Sequence, residues 1–292
     1  MPSISNRLRC LAAVLLLPLL LGAQKHHAEA PVACQDGFVK VESNEEIPAS
    51  DCKAIIGKFK KAWDFDLEQM KWPASRELSR PLTLLVKPDS EVKARASANM
   101  NGDRVIIRRS IADDDEGALR TLAHELGHIQ SARIMGRHAT QQVARHYFME
   151  GHGQMLNRLI ALRIGKYNEK PFATQAKNIM SMTADEARSI FSDDTYGEGT
   201  KDLRKSIKME VLGLYFLDYL QTRYHGKGFP DTLPRVAQVF ENIGHGESYE
   251  QAFKHAFGVS PESVQTEIVD LFQKTEANPE QRLAQTFYET HH

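Results

Sequence analysis

Two histidines, His124 and His128, stand four residues apart in a stretch, residues 115–135, whose apolar side chains recur at helical spacing. At about 100° per residue, Leu119, Leu122, Ala123, Leu126 and Ile129 make one apolar stripe, with the histidines on nearly the opposite side and Glu125 beside them. The acidic run Asp113 to Glu116 suits the positive end of a helix dipole. The spacing therefore predicts a helix that buries one face and turns two imidazoles toward a cleft. Imidazoles one turn apart reach a single tetrahedral ion, so His124-Glu125-Leu126-Gly127-His128 reads as a zinc motif.

A catalytic zinc keeps three protein ligands and leaves a fourth position for water. Ile134 occupies the place where one extension of this motif would require histidine. The better third ligand is Glu150, in Tyr147-Phe148-Met149-Glu150-Gly151 early in a second helical stretch, with His146 and His152 as rivals and His138 as a loop histidine. His152 is about 200° round that helix from Glu150, so the two do not face one ion together. Glu125, next to a ligand in sequence, is the general base for a water molecule.

The N-terminus has another character. Arg7 and Arg9 precede a 14-residue apolar run, Cys10 to Ala23, and the small-residue stretch Ala28-Glu29-Ala30 follows. A bilayer-spanning helix needs about 20 residues, so residues 1–30 read as an export signal, with an uncleaved anchor as the alternative. Export makes the protein periplasmic or secreted, with no stable membrane span after cleavage. An oxidising compartment then favours a disulfide between the two remaining cysteines, Cys34 and Cys52, in an N-terminal segment over 31–75. A formal net charge of -1 supplies no basic footprint, which sets nucleic acid aside as a partner.

Strands are expected over 81–86 and 104–108, and a helix over about 53–67. Past residue 115 the pattern is almost wholly helical, with segments at 115–135, 144–164, 203–224, 232–243, 247–257 and 261–274 and an amphipathic patch near 183–191. The fold class is α+β, mostly helical, with residues 76–292 as the catalytic domain.

Three pieces in order resemble the gluzincin zinc metallopeptidases, and more narrowly the peptidase-MA-like bacterial proteins. They are the His124-to-His128 motif, the aromatic-x-x-Glu-Gly element from Tyr147 to Gly151 with 21 residues between His128 and Glu150, and the stretch from Tyr249-Glu250-Gln251-Ala252-Phe253 through Phe257-Gly258-Val259-Ser260. The resemblance implies a thermolysin-like core: a small antiparallel sheet with an edge strand ahead of the motif helix, then a helical C-terminal half. An extended peptide substrate would lie along that edge as an added strand, and Arg104 to Arg108 falls where it should be. The resemblance implies one catalytic Zn2+ held by His124, His128 and Glu150, and peptide hydrolysis with Glu125 as base. Two departures stand out: Tyr147 replaces a frequent tryptophan, and Gln154 stands four after Glu150, where some gluzincins carry an acid. Tyr196 and Tyr215 are the available donors to a tetrahedral intermediate, with Tyr215 reading as a core residue. The rival functions are a catalytically inactive zinc-containing peptide-binding or chaperone-like protein, and a helical module without metal.

Overall fold

The computed structural model describes residues 30–72, 78–139, 145–165, 169–192, 203–225 and 229–285. All of the expected export signal except Ala30 lies outside these residues, as does Tyr196.

The described chain opens with a hairpin, β1 (Val32–Asp36) and β2 (Val39–Ser43), and continues through α1 (Ala49–Met70) into β3 (Leu82–Lys87). A second hairpin, β4 (Ala96–Ala98) and β5 (Arg104–Arg108), leads through the short α2 (Arg109–Asp113) into α3 (Asp115–Met135). The remaining elements are helical: α4 (His146–Arg163), α5 (Glu169–Ser181), α6 (Ala184–Ser192), α7 (Leu203–Leu220), α8 (Phe229–Gly244), α9 (Tyr249–Phe257) and α10 (Pro261–Lys274). The protein is thus mostly helical with one small five-stranded sheet, ordered β1-β2-β3-β5-β4.

The sheet is mixed, which corrects the antiparallel expectation. The two hairpins pair antiparallel, whereas β2 with β3 and β3 with β5 are parallel. The cause is connectivity: a 22-residue helix, α1, lies between β2 and β3, and a helical crossover returns the chain in the same direction. Val41, Leu84 and Val105 sit in register across the three inner strands, as do Val86 and Ile107, and all five side chains are buried. A second correction follows from the strand order. Arg104 to Arg108 is an inner strand, and the edge beside the motif helix is the three-residue β4.

Helix α3 begins where its acidic run predicts, with the Asp114 side chain accepting from the Glu116 backbone N–H. It does not bury a single face. It is packed against α1, α4, α8 and the β4–β5 hairpin, so its polar residues are buried along with its apolar ones. Two of those polar groups bond to backbone outside the helix. Gln130 donates to the Trp63 carbonyl of α1, and Arg133 reaches the carbonyls of Gly102, Leu78, Arg80 and Pro81. The N-terminal segment is part of the same core through β2, α1 and the buried Cys52.

Cys34 on β1 and Cys52 on α1 form a disulfide, 18 residues apart in sequence. Closing a loop of that size stabilises the fold by about 3 kcal/mol in the chain-entropy account. The Cys34→Ala/Cys52→Ala protein is therefore expected to lose about that much in urea denaturation, and unchanged stability would exclude a closed bond in the wild type.

Candidate metal centre

His124 and His128 project from α3 with their rings 4.7 Å apart, and Glu150 reaches them from α4. His124 Nε2 lies 3.1 Å from His128 Nε2 and 3.2 Å from Glu150 Oε2, and His128 Nε2 lies 3.7 Å from the same oxygen. A tetrahedral ion with bonds of about 2.0–2.1 Å needs ligand atoms about 3.3–3.4 Å apart. The three spacings bracket that value, and the donor set of two imidazole nitrogens and one carboxylate oxygen suits a zinc-like ion. The group could hold a metal ion.

Within the group the charges favour one another. Burial opposes ionisation of Glu150, but His128 and His124 outweigh it and hold its carboxyl well below the usual range. Burial disfavours charge on His124 too. Its hydrogen bond to Glu150 and the fields of Glu125, Glu150 and Glu210 prevail and raise it to about 9. Glu125 sits beside the cluster, buried; burial, reinforced by Glu150, pushes its carboxyl above the usual range against the pull of His124 and His128. The edge strand β4 packs against α3, the helix that carries this residue.

The position of Glu150 depends on how closely α4 approaches its neighbours. A Cβ on Gly153 would sit 2.9 Å from Cε1 and Nδ1 of His124, so a glycine there lets α4 lie against the first histidine. One turn away, a Cβ on Gly213 of α7 would fall 1.9 Å from the Tyr147 carbonyl oxygen and 2.8 Å from the Gly151 nitrogen. These are backbone atoms on either side of Glu150, and they cannot move aside as a side chain would. The start of α4 is also held by Tyr147, whose hydroxyl meets Tyr249 Oη at 3.1 Å and accepts from Gln265 Nε2 at 2.7 Å. Tyr147 therefore spans α4, α9 and α10. The C-terminal stretch that looked like a family habit has a local physical content: a capping box at Ser248 and Gln251, a left-handed stop at Gly258, and Ser260 capping α10.

The rivals for third ligand do not join the cluster. Among the described residues the converging group is His124, His128 and Glu150. His152 is fully buried, with Nδ1 3.3 Å from the Met149 carbonyl and its ring 5.2 Å from that of Phe240. Burial, reinforced by His128 and His124, holds it well below the usual imidazole range, so it packs as a neutral ring behind His128. Tyr215 donates to the Arg282 carbonyl at 2.9 Å inside the core, so it cannot serve an intermediate. Gln154 donates to Glu210 of α7 at 2.7 Å, which brings a carboxylate to the site that the motif spacing did not point to. Its signal in the sequence was a lone acid in the otherwise apolar Met209-Glu210-Val211-Leu212.

No protein-family model and no curated protein matches the chain.

Gly213→Ala forces a Cβ into the Tyr147 carbonyl and separates α7 from α4. It is expected to cost at least about 1–3 kcal/mol of stability by urea denaturation and to weaken metal uptake in the same preparation. A variant as stable as the wild type would show that the close crossing does not position Glu150.

Proposed function

We propose that the chain is an exported zinc metallopeptidase of the gluzincin kind, hydrolysing peptide bonds with Glu125 as general base. The observation that carries this reading is the convergence of His124, His128 and Glu150 beside the buried Glu125 carboxylate. A zinc ion in that site would supply Lewis-acid polarisation of the scissile carbonyl and of a water molecule. The protein's own groups do the rest. Glu125 accepts the proton from water and passes it to the leaving amine, and partial desolvation brings its basicity toward the range that task needs. The unpaired side of β4, which packs against the helix that carries Glu125, offers its backbone to an extended peptide. Burial around the cluster strengthens each electrostatic contact there relative to water.

Export is supported by the Cys34–Cys52 disulfide, a bond that persists in oxidising compartments. Among the described residues no helix is long and apolar enough to cross a membrane.

Glu125→Gln tests the reading directly. The variant is expected to bind zinc as the wild type does, by metal analysis of untagged protein, and to lose peptide hydrolysis by at least about a hundredfold against a broad peptide library. Retained hydrolysis removes Glu125 from the mechanism. Zinc uptake by a wild type that cleaves nothing leaves the non-catalytic peptide-binding protein in its place.

A further inference from the structure

Glu210 has no part in the proposed chemistry, yet α7 brings its carboxylate against α4 one turn beyond Glu150. It accepts from Gln154 Nε2 at 2.7 Å and from Ser206 Oγ at 3.3 Å, both neutral donors. The charges that act on it are those of Glu150, which opposes its ionisation, and His124, which favours it. Two half-buried carboxylates thus oppose each other beside the histidine cluster, a repulsion that a bound cation would relieve. Meanwhile His124 Nδ1 is buried without a hydrogen-bond partner, walled in by Gly153. A histidine that ligates through Nε2 carries its hydrogen on Nδ1, and negative charge near that side raises its strength as a ligand.

We infer that Glu210, presented through Gln154 and Ser206, is an outer carboxylate of the metal centre that tightens the hold of the His124–His128–Glu150 group on its ion. The inference rests on the metal-centre reading above. It gives the departure at Gln154 a physical sense: the position four after Glu150 carries no charge, but its amide hydrogen-bonds a carboxylate supplied by another helix. Glu210 touches neither ion nor substrate and acts by its field. Gln154 and Ser206 fix where that field originates, which makes Glu210 a positioning residue.

The test is the zinc affinity of untagged protein, measured by competition with a chromophoric chelator. Glu210→Gln keeps the size and polarity of the side chain and removes only the charge. It is expected to weaken zinc binding by about tenfold to a hundredfold, the range for losing an outer partner. The metal-free variant should be no less stable than metal-free wild type, because the repulsion with Glu150 is gone. The exchanged protein Gln154→Glu/Glu210→Gln returns one carboxylate to the same corner from the other helix and should recover most of the lost affinity. Equal affinity in wild type and Glu210→Gln overturns the role of Glu210, and so does a loss that the exchange fails to repair, since that would trace it to packing. Wild-type protein that takes up no zinc overturns the metal centre itself, a result distinct from either.

Discussion

Helix α4 can reach the histidines of α3 only because it is glycine where it is crowded. Gly153 faces His124 and Gly151 faces Gly213 of α7, with the backbones so close that a methyl group would collide with main-chain atoms. Glu150 immediately precedes these contacts, so its carboxylate is delivered by two close approaches of α4, one to the α7 backbone and one to the His124 ring, and not by a flexible loop. Close crossings of this kind fix position more tightly than side-chain interdigitation, because backbone cannot change rotamer. The Tyr147–Tyr249–Gln265 network extends the same constraint to the C-terminal helices. Those helices thus act on the site at a distance, by holding the first turn of α4 in place.

The protein buries several charged groups around this frame, and its buried arginines are matched to backbone carbonyls or to an opposite charge. Arg133 ties α3 to the segments that lead into the sheet through four carbonyls, with its guanidinium 5.5 Å from the Trp63 ring. Arg282 does the same at the other end, reaching the carbonyls of Ile179, Met182 and Phe272. Arg158 and Asp218 form a buried ion pair between α4 and α7, and breaking such a pair costs far more than the pair contributes. Asp66 stands apart: fully buried, with no hydrogen-bond partner on either carboxyl oxygen, it is pushed well above the usual range and packs as a neutral acid. The metal cluster belongs to this pattern, since its carboxylates are tolerated by the imidazoles they face.

Much of this order was legible in the chain, and the legible parts share a cause. The expected strand at 104–108 and helix at 115–135 coincide with β5 and α3, because period and capping residues are local signals. Local reasoning failed where burial comes from afar. Helix α3 looked amphipathic, but Gln130 and Arg133 are buried against partners some 31 to 67 positions away. The first hairpin was missed because β1 is mostly exposed and lacks the alternation of a half-buried strand. The three-residue β4 is too short to carry a period at all.

The sequence by itself determined that His124 and His128 share a helix face with Glu125 alongside, since four-residue spacing on a helix leaves no other outcome. It also placed the ends of α3, and those of α4 to within two residues. The tertiary structure decided that Glu150 and not His146 or His152 completes the cluster, that β4 is the edge beside it, and that Glu210 stands behind Gln154. Each of those outcomes depends on which backbones approach closely enough to touch. That is settled by contacts between residues distant in the chain, which no local period encodes.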